Sequence, residues 1–170
     1  MDWYVIFVKT GKEDVVKDWL NIQFDSKALY TLIPKRKLME KRKGKFYHVL
    51  KKLFPGYIFI NTNMDLNKYT TIMKIPDIIK ILNNGTSYYS KVNDSEMHII
   101  LNLVKESTII DYSKIYTENS KIFVKSGPLY GMEGVIKRID KHKSRARILL
   151  NFMGENKFID VGIELIEKLD

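Results

Sequence analysis

The residue types that most often carry acid–base or metal chemistry are sparse in this chain and far apart. The three histidines are His48, His98 and His142, and no two of them are close enough in sequence to propose a metal site. There is no cysteine, which excludes disulfides, thiolate metal sites and cysteine nucleophiles. The sequence also lacks a phosphate-binding glycine loop, a nucleophile elbow and a paired carboxylate motif. We therefore expect no enzyme activity, no metal and no cofactor, and a structural or solvent-facing role for each histidine.

Positive charge is the chemistry that this sequence does provide. The formal net charge is +9 at pH 7. Residues 35–52 carry nine Lys or Arg and one acid, Glu40, while residues 121–147 carry eight Lys or Arg and two acids. Clustered cations attract phosphates and release their counterions, so a polyanionic partner is indicated. The alternative for both segments is a solvated surface without a partner.

A third feature is the aromatic segment at residues 53–59, LFPGYIF. In a strand, alternation sends Tyr57 and Phe59 to the same face. Two interpretations follow: these rings are packed in a core, or they line an exposed aromatic groove for a partner helix.

The sequence also indicates the cellular compartment. No apolar run approaches membrane-spanning length, and the N-terminus enters an apolar strand without a basic region or a cleavage site before it. We expect a cytoplasmic protein that is neither secreted nor membrane-spanning.

The elements that position these residues follow from periodicity. Residues 3–8 predict a strand, and Thr10 with Glu13 predicts a capping box that begins a helix. One apolar stripe is predicted along that helix, formed by Val15, Trp19 and Ile22 with Val16 and Leu20 beside them. Further strands are predicted over residues 28–34, 57–60 and 78–82, a basic hairpin or loop over 35–52, and helices over 65–74 and from 93 onward. This order predicts an α+β domain over residues 1–106.

The remainder of the chain predicts a separate all-β domain. Residues 107–118 lose periodicity and are interpreted as a linker. Beyond them, turn residues such as Gly127, Pro128, Gly131 and Gly134 separate short strand-like runs. The five runs are 121–125, 133–139, 145–151, 157–161 and 164–167. A small β-barrel over residues 119–170 is the economical way to hide their edges.

Several short motifs occur in a fixed order along almost the whole chain. They are Trp3-Tyr4-Val5, Leu53-Phe54-Pro55-Gly56-Tyr57, Ile75-Pro76, Val124-Lys125-Ser126-Gly127-Pro128 and Gly134-Val135. In this order they resemble the NusG family of transcription elongation factors. Residues 1–106 resemble the family's NGN domain, an antiparallel sheet with flanking helices, and residues 119–170 resemble its KOW barrel.

The resemblance implies a protein partner and sites for it. An NGN domain docks a hydrophobic pocket onto the clamp helices of RNA polymerase and suppresses pausing, which favours the groove interpretation of the aromatic segment. The matching positions are Phe7, Phe54, Pro55, Tyr57 and Phe59. By the same resemblance, Lys68, Tyr69 and Thr70 face the opposite polymerase lobe, and Lys9 and Lys12 lie near non-template DNA.

The C-terminal domain departs from the family pattern at one hairpin. Housekeeping members recruit a termination factor or the ribosome through a strand containing Phe-Gly-Arg, whereas this chain places Met153 and Glu155 at the aromatic and basic positions. Such departures resemble the specialised LoaP-type paralogues, whose KOW domain engages an RNA hairpin in the nascent transcript. The expected RNA-binding residues are Lys125, Tyr130, Lys141, His142, Lys143, Arg145 and Arg147.

The leading hypothesis is therefore a monomeric processive antiterminator that regulates transcription, with one domain on RNA polymerase and the other on a leader RNA hairpin. Within the family, the alternative is a housekeeping factor that couples polymerase to the ribosome or a termination factor. An alternative of another class is a ribosomal or RNA-chaperone protein, since these also contain KOW-like barrels. The N-terminal aromatic segment has no evident purpose in such a protein.

Overall fold

The structure is a computed structural model that describes residues 1–168, and the chain packs into two units. The first unit comprises residues 1–33 and 54–97. The second comprises residues 34–53 and the chain from His98 onward. The predicted domain boundaries at residues 106 and 118 stay a prediction, but the basic segment 35–52 groups with the C-terminal part of the chain.

The elements of the first unit are β1 (Asp2–Val8), α1 (Glu13–Gln23), β2 (Leu29–Leu32), β5 (Tyr57–Thr62), α2 (Leu66–Met73) and β6 (Ile78–Ile81). The strands form a four-stranded antiparallel sheet with the order β2-β5-β1-β6. They are rich in β-branched and aromatic residues, which pack well on a pleated surface. A third helix, α3 (Asp94–Val104), begins in the first unit and ends in the second. The antiparallel sheet with helices confirms the predicted α+β class for the N-terminal part.

The buried face of α1 differs from the predicted stripe. Val16 and Leu20 are fully buried in the core of the first unit, whereas Val15, Trp19 and Ile22 are exposed. Both sets recur at helical spacing, so the periodicity allowed either face. The predicted stripe was correct for Val16 and Leu20 and wrong for Val15, Trp19 and Ile22, because packing against the sheet selects the first two.

The predicted capping box of α1 was also wrong. Lys12 is the N-cap residue, and it makes no side-chain cap hydrogen bond. The buried Glu13 carboxylate instead accepts hydrogen bonds from two glycine N–H groups, that of Gly11 at 3.0 Å and that of Gly56 at 2.6 Å. Since the carbonyl oxygen of Gly56 also accepts from the Val8 N–H at 2.8 Å, this glycine is fixed to the end of β1.

The second unit contains a basic hairpin and a curled sheet. The hairpin consists of β3 (Lys35–Arg42) and β4 (Lys45–Lys52), and β7 (Ile109–Ile110) pairs with β3 in parallel. The strands of the curled sheet are β8 (Ser113–Glu118), β9 (Lys121–Ser126), β10 (Ile136–Asp140), β11 (Arg145–Phe152) and β12 (Glu155–Leu165). The sheet has the order β10-β11-β12-β8-β9 and forms a half-barrel, which agrees with the predicted KOW-like fold class.

Two details of the predicted C-terminal strands change. The runs predicted at 157–161 and 164–167 belong largely to one strand, β12, and the run predicted from residue 133 begins with a 3₁₀ turn, Glu133–Val135. Residues 107–118, interpreted as a linker, contain β7 and β8. β8 pairs with both β9 and β12, so this stretch contributes a strand to the half-barrel.

Two glycines allow close packing within the second unit. Gly127 has φ +98°, and a Cβ there would lie 2.6 Å from the Cα of Ser113. At Gly162 a Cβ would lie 2.2 Å from the carbonyl oxygen of Lys37 on β3. The hairpin therefore packs directly against the backbone of β12, where the Arg36 guanidinium also donates a hydrogen bond to the carbonyl oxygen of Asp160.

Candidate nucleic-acid interface

The turn between β10 and β11 presents the densest exposed positive charge of the half-barrel. Lys141, His142 and Lys143 are all exposed. The turn is closed by Asp140, whose carboxylate accepts a hydrogen bond from the Lys143 N–H at 2.9 Å. That hydrogen bond, aided by the positive charge of Lys143, holds the pKa of Asp140 below its usual range. The carboxylate thus stays charged and orders the turn that carries the cations.

The two arginines of β11 differ in how their charge is used. Arg147 donates from Nε to a carboxylate oxygen of Asp160 at 3.0 Å, which raises the pKa of Arg147 and partly neutralises it. Arg145 is half-buried, and its buried Nε has no hydrogen-bond partner in the described part of the chain. The Arg36 Nε is also buried without a hydrogen-bond partner in the described part of the chain. Burial lowers the pKa of Arg36, and the nearby Arg145 charge lowers it further, although the Asp160 charge opposes this shift. Arg145 is therefore the less neutralised of the two β11 arginines.

The basic hairpin and the β10–β11 turn line a common cleft of about 370 Å³. We call it the hairpin–turn cleft. The hairpin contributes Met39, Glu40, Lys41 and Phe46, and the turn side contributes residues 142–145. Phe46 is 66% exposed, and the Lys41 Nζ lies 5.6 Å from the centroid of its ring. The charge of the basic segment predicts a polyanionic partner, but no sequence pattern distinguishes Phe46 or Lys41 within it.

The one acid among the residues that line the hairpin–turn cleft is already paired. Glu40 accepts from the Lys51 Nζ at 2.7 Å and from an Arg42 guanidinium nitrogen at 3.0 Å. The hydrogen bond from Lys51, followed by that from Arg42, lowers the pKa of Glu40. An anion in the cleft would therefore meet a neutralised carboxylate beside Lys41, Lys143 and Arg145.

The remaining predicted RNA-binding residues lie elsewhere on the half-barrel. Lys125 is exposed on β9, which is at the opposite end of the sheet order from β10, and it lines a separate cleft with Glu167 and Lys168. Tyr130 is 68% exposed in the turn after β9. The structure thus brings His142, Lys143 and Arg145 together with the hairpin, and places Lys125 and Tyr130 apart from that cleft.

The hairpin tip between β11 and β12 contains Met153 and Glu155, the two residues predicted to depart from the family pattern. Phe152 is buried, whereas Met153 is half-buried with φ +50° and Glu155 is exposed. A Lys157 Nζ lies 3.7 Å from the Glu155 carboxylate. The tip therefore presents a thioether and an acid.

In the first unit, the predicted polymerase-binding aromatics form two pairs. Phe7 and Tyr57 are register partners on β1 and β5, their ring centroids are 5.3 Å apart, and both are half-buried. Phe54 and Phe59 have ring centroids 5.7 Å apart and are buried at 4% and 0% exposure. Pro55 is exposed. The accessible part of this aromatic face is therefore Phe7, Pro55 and Tyr57.

Most of the other predicted contact residues of the first unit already have intramolecular partners. The Lys68 Nζ donates to the Thr62 hydroxyl at 2.8 Å, and Tyr69 packs against the ring of Tyr88. Thr70 donates to the carbonyl oxygen of Leu66 on the same helix. Lys9 forms an ion pair with Asp77 at 3.4 Å, and Lys12 is exposed at the N-cap of α1.

The three histidines have separate environments. His48 Nδ1 lies 2.7 Å from the Tyr112 hydroxyl, His98 Nε2 lies 3.1 Å from the Asn102 side-chain amide, and His142 is in the basic turn. Among residues 1–168, no group of three or more His, Cys, Asp or Glu side chains is placed to hold a metal ion. Within that same range, no helix combines the length and the apolar character needed to span a membrane.

Comparison with known proteins agrees with this architecture. Residues 1–101 match the family model described as "Transcription termination factor nusG". The chain is 26% identical to the "Transcription termination/antitermination protein NusG" of Rickettsia felis, over 99% of this chain and 90% of that protein. It is 25% identical to the protein of the same name from Vibrio vulnificus, over 99% and 96%.

A solved structure shows the same fold. The structure described as "Domain interaction in Thermotoga maritima NusG" aligns with a TM-score of 0.62 and 23% identity, and covers 95% of this chain and 93% of that chain. The family model matches more than half of this sequence. The chain therefore belongs to the NusG family of transcription termination and antitermination factors.

Proposed function

We propose that this protein is a specialised processive antiterminator whose first unit binds RNA polymerase and whose basic C-terminal sheet binds an RNA hairpin in the nascent transcript. The observation that carries this proposal is the exposed β10–β11 turn, where Lys141, His142 and Lys143 adjoin the partly buried Arg145. An RNA hairpin offers closely spaced phosphates and an unpaired loop, and such a cationic surface complements both.

The altered β11–β12 tip supports the specialised role. In the family's Phe-Gly-Arg strand, an aromatic ring and a cation contact the protein partner. With Met153 and Glu155 at those positions, this chain has neither group there. Glu155 also places a negative charge at the tip, although Lys157 lies within 4 Å of it. A partner that binds the family's Phe-Gly-Arg strand would meet a negative charge at the position where it requires a positive one.

The polymerase-binding part rests on the accessible aromatic face of the first unit. Phe7 and Tyr57 are half-buried neighbours, and Pro55 beside them is exposed. Apolar side chains in this arrangement suit the packing of a partner helix, such as a polymerase clamp helix. We expect Tyr57→Ala to weaken binding to purified RNA polymerase by about tenfold or more.

A matched control for this face is Tyr30→Ala, because Tyr30 is an exposed tyrosine on β2 of the same sheet. Binding would be measured by fluorescence anisotropy of the labelled full chain. Equal affinity of Tyr57→Ala and Tyr30→Ala for polymerase would contradict the proposed polymerase site.

The RNA-binding part is tested with the double variant Lys141→Ala/Lys143→Ala. The probe is a labelled stem–loop RNA with a randomised loop, titrated against the full chain across a salt series. Each lost phosphate contact should reduce the slope of log affinity against log salt by about one, so the double variant should bind more weakly with a shallower slope. The control removes two exposed lysines of the first unit, Lys27 and Lys80, and changes the net charge equally. Unchanged affinity and slope in the turn variant would refute RNA binding by this surface.

The second candidate is a housekeeping factor, which the name of the relatives favours because it covers both termination and antitermination. Such a factor would bind the ribosome or a termination factor through its C-terminal sheet. A pull-down with those partners separates the two candidates. If the wild-type chain binds the ribosome or the termination factor, and the Glu155→Arg variant binds that partner no more tightly, the housekeeping role is favoured.

A further inference from the structure

The hairpin–turn cleft combines two segments that are about a hundred residues apart in sequence. Three contacts within the second unit hold its hairpin wall against the sheet. The Arg36 guanidinium donates to the carbonyl oxygen of Asp160, Gly162 allows the Lys37 backbone to approach β12, and His48 lies 2.7 Å from the Tyr112 hydroxyl. The hairpin is thus a fixed wall beside the basic turn.

The hairpin wall carries an aromatic ring in an unusual setting. Phe46 is 66% exposed near the tip of β4, and a phenylalanine has no polar atom to favour that exposure. Its neighbour Lys41 is its register partner across the hairpin and approaches the ring face to 5.6 Å. An exposed ring flanked by cations is the usual platform for stacking of an unpaired base.

The opposite wall contains a buried guanidinium nitrogen that has no hydrogen-bond partner among the described residues. The buried Arg145 Nε–H donates no hydrogen bond within the described part of the chain, so it still needs an acceptor. Lys143 and Arg145 both line the cleft, and the single lining acid, Glu40, is engaged by Lys51 and Arg42. A phosphate oxygen has the charge and hydrogen-bonding capacity that this wall is suited to bind.

We propose that the hairpin–turn cleft holds an unpaired nucleotide from the loop of the bound RNA, with its base stacked on Phe46 and its phosphate on Lys143 and Arg145. This inference rests on the proposed RNA-binding function and adds the hairpin as a second wall of the site. The cleft volume, about 370 Å³, is within the range of small-ligand pockets. A paired base is stacked within the stem and cannot present its face to Phe46, so the cleft selects loops over duplexes.

The test compares two RNAs on the full chain: a labelled stem–loop with an all-adenosine loop, and the blunt duplex of the same stem. Phe46→Ala should weaken stem–loop binding by about tenfold, because loss of one base–aromatic stack typically has this effect, and should leave duplex binding within about twofold. Phe46→Trp should retain stem–loop binding. The matched control is Phe158→Ala, since Phe158 is similarly exposed at 61% but does not line the cleft.

A second measurement reports stacking directly. A fluorescent adenine analogue in the loop should be quenched on binding to the wild-type chain and to Phe46→Trp, but not to Phe46→Ala. Because Phe46 is exposed, its truncation should leave the thermal unfolding temperature unchanged.

The outcomes separate this inference from the function on which it rests. If Lys141→Ala/Lys143→Ala weakens stem–loop binding but Phe46→Ala binds both RNAs like the wild type, the RNA-binding function stands and the nucleotide site is refuted. An equal loss of both RNAs in Phe46→Ala also refutes a loop-specific site. If the wild-type chain binds neither RNA, the proposed function fails, and the inference fails with it.

Discussion

The two units hold their accessible aromatic side chains in different surroundings. In the first unit, Phe7 and Tyr57 pair across two central strands and are half-buried. In the second, Phe46 is 66% exposed beside the Lys41 ammonium group. A paired apolar face is suited to a protein partner, whereas a single ring among cations is suited to bases and phosphates.

The difference follows from the backbone that carries each ring. Phe7 and Tyr57 lie beside Gly56, which the buried Glu13 carboxylate fixes to the end of α1. Phe46 instead lies next to the hairpin turn, where Lys43 and Gly44 both have positive φ. For these rings, two central strands bury part of Phe7 and Tyr57, whereas the hairpin tip leaves Phe46 in solvent.

The largest effect is expected for Gly127→Ala, which should disrupt the second unit alone. The new Cβ would lie 2.6 Å from the Ser113 Cα at a residue with φ +98°. Strain and steric overlap together should lower the free energy of unfolding of this unit by about 4 kcal/mol. NMR-detected urea unfolding would measure it, while emission of the two tryptophans, Trp3 and Trp19, reports on the first unit and should not change.

Gly131→Ala is the control for this variant, because Gly131 has φ +76° but no atom within 4 Å of its Cβ position. It should lose only the strain, about 1 kcal/mol. Equal losses in the two variants would contradict the importance of the approach to Ser113.

Gly162→Ala should separate the hairpin from the sheet. Its Cβ would lie 2.2 Å from the Lys37 carbonyl oxygen and 2.4 Å from a ring carbon of Tyr112, so the hairpin must shift at a cost of about 3 kcal/mol. Preference for the stem–loop over the duplex should fall as well, because the two walls of the cleft no longer face each other. Gly134→Ala, which has open space around the Cβ position, should stay within about 0.5 kcal/mol of the wild type. Unchanged amide chemical shifts in the hairpin of Gly162→Ala would argue against this packing.

Glu13→Gln should weaken the first unit. The neutral amide cannot accept from both the Gly11 and Gly56 N–H groups as the carboxylate does, and hydrogen bonds to a charged group are the stronger ones. We expect a loss of about 2 kcal/mol in the free energy of unfolding, measured by tryptophan emission. Asp18→Asn, an exposed change on the same helix, should have almost no effect. A Glu13→Gln variant as stable as Asp18→Asn would show that these hydrogen bonds do not fix the aromatic face.

The smallest effect is a pH dependence of the β10–β11 turn. The hydrogen bond from the Lys143 N–H lowers the pKa of Asp140, so the stabilising contribution of this hydrogen bond is fully present above the unfolded pKa of about 4. It is lost as the pH falls through the lowered value. The Lys143 amide chemical shift should follow this titration and should not titrate in Asp140→Asn. A titration midpoint at or above the ordinary value for aspartate would contradict the predicted shift.

The sequence by itself determined the local elements and the fold class. The apolar run at β1, the amphipathic α1 and the turn glycines of the C-terminal sheet follow from periodicity and from backbone preferences that act over a few residues. The two basic segments were also evident, because charge density is a local property. The family motifs placed these elements in a known order, and the antiparallel sheet with its helices and the half-barrel agree with them.

Only the tertiary structure decided which groups meet. Helical spacing allowed two faces of α1, and the sheet selected Val16 and Leu20. Glu13 was predicted to form a local cap, but its carboxylate also accepts a hydrogen bond from Gly56, 43 residues away. Arg147 donates a hydrogen bond to Asp160 on the neighbouring strand. Phe46 joins His142 and Arg145 in one cleft because the hairpin packs on β12 at Gly162. Such contacts depend on pairing between distant strands, and no local pattern encodes them.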